Sequence, residues 1–252
     1  MYRVMSFNLL CSGKGSRTWR KRVPRVVQII KEVNPDTFGV QEAHYDWIKK
    51  LNRFLPEYDY IGVGRDDGKK RGEFAAVFFK KDKFTASDSG NFWISETPEK
   101  PSKGWDSACT RVATFAKLTD KESGNAYIHF NTHLDHVGTV AQINGAKMIQ
   151  QKAADFGGLP VICTGDFNVF QDSECYNTMV SGNMKDARKL AADTDECYTF
   201  HGFDPEKRHE RIDFIFVDEA TVNPVKFKVV DKLVNGDYYS DHHAIYADFE
   251  IK

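Results

Sequence analysis

Four acidic side chains interrupt stretches that otherwise read as apolar strands. Glu42 ends FGVQE, Asp166 stands in VICTGDFN, Asp213 lies inside RIDFIFV, and Asp241 with His242 immediately precedes the strand-like AIYADF. A carboxylate beside buried strand residues is costly unless it meets a cation, a hydrogen-bond donor or water. With Asn8 and Asn168 they make a hard, oxygen-rich set. Such a set suits Mg2+ or Mn2+, ions that take one or two carboxylates, waters and the oxygens of a substrate phosphate. Any one of these residues alone fits an ordinary polar turn at a strand end, so the inference rests on the set.

Two distant stretches share the plan that would position this set. The first runs VMSFNLL (4–10), a helical segment, then TFGVQE (37–42). The helix is marked by Val23, Val26, Val27, Ile30 and Val33 at 3.6-residue spacing, by Pro24 in a first turn and by Asn34-Pro35 as a stop. The second runs YIHFNTHLD (127–135), a helical stretch through Ala141, Ala146, Ile149 and Ala153, the breaker GGLP (157–160) and VICTGDFN (161–168). Asn8 and Glu42 are 34 positions apart and His133 and Asp166 are 33, which reads as a duplication. Crossover connections put helices on a sheet face, and ligands of open α/β sheets gather at the carboxyl ends of the strands, so these four side chains are expected on one rim. YDYIGVG, FAAVFF and VATFAKL with its turn at 120–125, then RIDFIFV, PVKFKVV and HAIYADFEI, read as antiparallel strands. Two packed sheets with helices outside are the simplest layered solution.

The fragments SFNLL, VQE, NTHLD, GDFN, RIDFIF and SDHHAI, in this order and at these intervals, resemble the endonuclease/exonuclease/phosphatase superfamily from Ser6 to Ile245. The resemblance implies one α/β domain over residues 1–252, a four-layer α/β/β/α sandwich of two mixed sheets, internally duplicated, with its active site at one rim. It implies a Mg2+- or Mn2+-dependent hydrolase of phosphate esters. Glu42 would be the principal metal ligand, with Asn8 and Asp241 close to it. Asp166 and Asn168 would position the attacking water and the scissile phosphate, Asp213 would hold His242, and His133 would touch a phosphate oxygen. Arg111, at the head of RVATFAKL, resembles an arginine that reaches the phosphate. Hydrolysis of a phosphate ester needs charge neutralised on the equatorial oxygens, an oriented water and help for the leaving oxygen, and this set supplies all three. Either Asp166 or His242 would serve as base. GDFNVFQDSECY resembles deadenylase-like and uncharacterised bacterial branches rather than abasic-site endonucleases.

Other features receive plainer readings. His136 is expected on a surface loop, His243 on the face opposite His242, and His201 on a loop near substrate. Trp93 and Trp105 in NFWISETPEKPSKGWD (91–106) either stack on a base or sugar or pack on the sheet, and Lys69-Lys70-Arg71 is expected to be a solvated loop tip. Among 252 residues, 41% are hydrophobic and 28% charged, and 35 basic against 36 acidic residues leave a net charge of −1. No global basic field therefore draws the chain to duplex nucleic acid, which leaves nucleotides, single strands, sugar phosphates and inositol phosphates as partners. No apolar run exceeds residues 75–79, and five cysteines lack CxxC spacing, so a cytoplasmic monomer without membrane partners is expected. A noncatalytic module that holds a phosphorylated ligand is the alternative, and the intact set argues against it.

Overall fold

The computed structural model describes residues 1–204 and 210–252. In chain order the elements are β1 (Tyr2–Asn8), α1 (Trp19–Val33), β2 (Thr37–His44), α2 (Tyr45–Phe54), β3 (Tyr58–Ile61), β4 (Glu73–Lys80), β5 (Phe84–Trp93), β6 (Val112–Asp120) and β7 (Ala126–His133). They continue with α3 (Thr139–Ala154), β8 (Val161–Asp166), α4 (Glu174–Met179), β9 (Met184–Asp186), α5 (Ala187–Leu190), β10 (Asp193–Thr194), β11 (Asp213–Asp218), β12 (Val222–Val229) and β13 (Ile245–Ile251). One sheet has the order β10-β12-β13-β1-β2-β4-β3 and the other β5-β6-β7-β8-β11-β9. Among the described residues no helix is long and apolar enough to cross a membrane.

Period-two alternation sorts each strand between two environments. Met5, Phe7, Phe38, Val40, Phe74, Ala76 and Phe78 point outward and pack with Val26, Ile30, Trp47 and Leu51 of α1 and α2. On the second sheet Ile128, Phe130, Cys163, Phe214 and Phe216 pack with Ile149 of α3 and Tyr176 of α4. The inward residues Val4, Tyr127, Ile162, Ile215, Ala247 and Phe249 fill the space between the sheets. The layers are therefore α/β/β/α, as the sequence implies. β1 and β2 are parallel with Asn8 opposite Gln41, and β7 and β8 are parallel with His133 opposite Asp166, so α1 and α3 are the two crossovers of the repeat.

The space between the sheets is apolar at one end and polar towards the rim. On the inner faces lie Ser6, Gln41, His129, Asn131 and Thr164, all buried. Asn131 of β7 donates Nδ2–H to the carbonyls of Val40 (2.9 Å) and Ala76 (3.1 Å) on the facing sheet. Its Oδ1 accepts from Gln41 Nε2 (2.7 Å) and Thr164 Oγ1 (3.0 Å). Gly39 makes room for this, because a Cβ there would stand 2.2 Å from Asn131 Oδ1 and 2.3 Å from Thr164 Oγ1.

Several elements differ from the sequence expectation. β2 runs straight into α2, whose N-cap is the His44 ring accepting from Trp47 N. β5 is a sheet edge with one exposed face, so TASDSGN carries too few apolar residues to read as a strand. The short α4, β9, α5 and β10 occupy the stretch after β8 in pieces too brief for periodicity.

Two stability predictions follow from this polar layer. Gly39→Ala forces Asn131 or Thr164 to move and lowers the unfolding free energy by about 1–3 kcal/mol in a urea titration; an unchanged midpoint would show that the sheets do not meet here. His129 is held down to a pKa of about 3 by burial, with Nε2 2.9 Å from Thr164 Oγ1. Because the unfolded chain protonates this ring near pH 6.5 and the folded chain only near 3, stability falls as pH drops through that window. His129→Gln removes that proton uptake, so the loss of unfolding free energy between pH 7 and 5 shrinks by up to about 2 kcal/mol relative to the parent.

Candidate active site

The four polar side chains at the strand ends of the repeat meet between the sheets. Asn8 Nδ2 donates to Asp166 Oδ2 (2.9 Å) and Glu42 Oε1 (3.2 Å), while its Oδ1 accepts from Leu10 N (2.9 Å). His133 Nε2 lies 3.6 Å from Asp166 Oδ2. Glu42 does not arrive by simple alternation. The β2–β4 register slips between Val40 and Ala43, and Glu42 adopts φ +54°, so the bulge turns its carboxylate to the rim. Its Oε2 accepts from Cys11 N at 3.1 Å. Asn168 has the same kind of backbone, φ +51°, with its N–H on Asp166 Oδ1 (2.9 Å) and Nδ2 on the Leu134 carbonyl (3.1 Å), which leaves a second Nδ2–H.

From the other end of the chain, His242 Nδ1 pairs with Asp213 Oδ2 at 2.8 Å, and its Nε2 lies 3.8 Å from Asp166 Oδ2. Asp241 lines the same cavity of about 420 Å³ together with Glu42, Arg111, His133, Asp166 and His242. Burial pushes the Glu42 carboxyl up, but the His242 charge and the bonds from Cys11 and Asn8 outweigh it and hold the pKa below the usual range. Asp241 is raised by burial and by the Glu42 charge. Asp166 is raised to about 7 by burial and by Asp213. The two histidines are driven apart. Burial lowers His133, and Arg111 and Arg65 lower it further, whereas Asp213, Asp166 and Asp241 overcome burial and lift His242 well above its ordinary value. The neighbours thus bias His133 toward its neutral form and His242 toward its cation.

Arg111 lines the cavity just before β6. It is buried, 3.6 Å from Asp135 Oδ2 by Nε, and donates Nη2–H to His136 Nδ1 at 3.2 Å. His136 is exposed yet lines the cavity. Its neighbour Asp135 accepts from the N–H groups of Ala108, Cys109, Val137 and Gly138, which joins the loop before β6 to the loop before α3. His201 is buried, stacked on Tyr238 at 4.2 Å between ring centres, and His243 is buried with Nε2 3.3 Å from Asp231. Trp93 packs inside and donates to the Arg65 carbonyl, while Trp105 is exposed.

Two residues of this region escape a reading of the sequence. Glu73, the first residue of β4, lies 2.7 Å from Arg65 Nη1 and 3.7 Å from His133 Nδ1. It leads an apolar strand just as Asp213 does, which is the signal that would have found it. Arg22 of α1 is wholly buried and donates to five carbonyls, those of Leu9, Leu10, Ser12, Arg17 and Tyr239. It ties the segment after Asn8 to the segment before Asp241, and Ser240 Oγ adds a bond to the Asn8 carbonyl at 2.7 Å. Burial lowers Arg22 to about 10, so its charge persists at neutral pH beside Asp241 and Glu42.

The carboxylates of Glu42 and Asp241 line one cavity, and the Glu42 charge raises Asp241, so they are an all-oxygen pair that fits a hard divalent cation. Asp166, Asp213 and His242 also bring ligand atoms within 4.8 Å of one another, but Asp213 and His242 are already committed to each other.

Known proteins share this fold. A structure from Bacteroides vulgatus, described as an endonuclease/exonuclease/phosphatase, is 40% identical with a TM-score of 0.96, covering 100% of this chain and 99% of that one. A mannosyl-6-phosphatase from Bacteroides thetaiotaomicron is 35% identical with a TM-score of 0.91, covering 99% and 100%. The uncharacterized protein L388 of Acanthamoeba polyphaga mimivirus is 25% identical over 176 residues, 66% of this chain and 65% of that protein. The pattern of the Endonuclease/Exonuclease/phosphatase family matches residues 5–242, and the chain belongs to that family.

Proposed function

We propose that this protein hydrolyses phosphate esters with the aid of Mg2+ or Mn2+. The observation that carries the reading is the Asp213–His242–Asp166 arrangement, in which a fixed cationic ring stands beside a carboxyl poised near neutrality. The phosphate sits among His133, Asn168, His242 and Arg111. Charged His242 and Arg111 neutralise its equatorial oxygens, and neutral His133 with the second amide N–H of Asn168 orients them. Asp213, Asp166 and Asp241 favour the charged form of His242, which leaves Asp166 as the base. It takes a proton from the attacking water as the water oxygen bonds to phosphorus and the bond to the leaving alcohol breaks. Glu42 and Asp241, with Asn8 beside them, would hold the cation, which would supply Lewis-acid neutralisation of the phosphate and of the departing oxygen. Asn8 also bridges Glu42 to Asp166 through its NH2, which fixes the cation side relative to the base. Among esters, the likeness to a mannosyl-6-phosphatase favours sugar phosphates.

Two experiments test this reading. Glu42→Gln keeps the size of the side chain and removes its charge. Calorimetric Mn2+ titration should give a Kd weakened at least tenfold, about 1.4 kcal/mol, with the circular dichroism spectrum unchanged; undiminished affinity would remove Glu42 from the metal site. Asp213→Asn and His242→Ala should each lower kcat by about 10² to 10⁴, and the double variant should be little worse than the poorer single one. Strictly multiplicative losses would show that the two side chains act independently.

A further inference from the structure

Eight large apolar side chains are exposed among the described residues, and four of them, Trp105, Val137, Val140 and Phe170, belong to segments grouped around one side of the candidate active site. Phe170 lines the same cavity as His133 and Asn168 although 49% exposed. Val137 follows His136, which lines the cavity too. Trp105 precedes Asp106, whose carboxylate accepts from the N–H groups of Val140 and Ala141 and so fastens the Trp105 loop to the start of α3. Gln142 Nε2 then reaches the carbonyls of Asp135 and Asn168, which brings α3 to the segment carrying Phe170. Arg65 and Glu73, paired at 2.7 Å, line the cavity as well and are charged by contrast. A scattered exposed apolar residue needs no explanation, but a group continuous with a polar cavity marks a surface that a ligand covers.

We propose that Phe170, backed by this apolar flank, is the subsite for the alcohol half of the substrate, and that this half is a ring presenting a flat apolar face. The proposal rests on the phosphate-ester reading, because an ester held at Asn168 and His133 carries its alcohol beside Phe170. An aryl group, a nucleoside and the C–H face of a hexose all have such a face, whereas glycerol and methanol do not. Phe170 is the fourth residue after Asp166 and the second after Asn168, so the segment that orients the phosphate also places the ring.

The test compares esters that differ only in the alcohol. Phenyl, hexose 6-, nucleoside 5′- and glycerol phosphates are supplied both as monoesters and as their methyl diesters, with Mn2+, to the full chain and to Phe170→Ser. In the parent, kcat/KM for at least one ring ester should exceed that for the matching glycerol ester by tenfold or more, and the ring class that does so names the source. In Phe170→Ser the ratio of ring ester to glycerol ester should fall about tenfold, with the melting temperature unmoved because the side chain is exposed. A parent that prefers the glycerol esters, or a variant that keeps the parent's ratio, overturns the subsite. Failure of the parent to hydrolyse any ester in the panel would instead overturn the hydrolase reading, and the subsite with it.

Discussion

The contact between the two sheets in which Asn131 reaches across at Gly39 is the constraint on which the candidate active site depends. Asn131 spends all its hydrogen-bonding capacity there, two N–H groups on the carbonyls of Val40 and Ala76 and one oxygen shared by Gln41 and Thr164. Val40 and Ala76 are the last regularly paired residues before the bulge that swings Glu42 to the rim. The amide therefore anchors the bulge from the sheet that carries His133 and Asp166. A buried amide with any of these partners missing would cost about 1–3 kcal/mol, so the network holds one geometry rather than several.

Above that anchor the site gathers charges that burial opposes. Glu42, Asp166, Asp213 and Asp241 stand close together with His242 as the ring they share, and desolvation alone would neutralise several of them. Three devices offset that cost. His242 is clamped by Asp213, Glu42 receives N–H bonds from Cys11 and Asn8, and Arg22 brings a buried positive charge that is satisfied by carbonyls instead of by a carboxylate of its own. Asp166 is the member with the weakest compensation, and its pKa accordingly rises to about 7. A carboxyl in that state is a better base near neutrality than one fully stabilised as the anion.

The sequence revealed the parts of this design that repeat or alternate. The valine and isoleucine spacing of α1, the two strand-helix-strand units and the polar residues at their ends were legible because periodicity reports burial directly. Hidden were features fixed by tertiary contacts. The edge strand β5 has no strong pattern because one face meets water, and α2 is short and starts without a break after β2. The burial of Arg111 and Arg22 follows from loops folding over them, and no local signal distinguishes such arginines from solvated ones. Phe170 carries no local signal either, because its exposure beside the cavity is a property of the folded chain.

The duplication also accounts for why Glu73 and Arg111 are where they are. Each parallel pair is flanked by antiparallel strands, giving β13-β1-β2-β4 in one sheet and β6-β7-β8-β11 in the other. In that correspondence Asn8 matches His133, Glu42 matches Asp166, and the first residue of β4, Glu73, matches the first residue of β11, Asp213. Arg111, just before β6, matches the segment just before β13 that contains His242. The carboxylates at the strand starts then cross between halves, since Asp213 pairs with His242 from the first sheet and Glu73 lies near His133 from the second. The halves diverge in their electrostatics. Asp213 sits 2.8 Å from its histidine and favours the charged ring, while Glu73 pairs with Arg65 and stands 3.7 Å from His133, whose charged form is disfavoured by burial and then by Arg111 and Arg65. One repeated plan thus carries two different pairings, since Arg65 engages Glu73 while His242 engages Asp213.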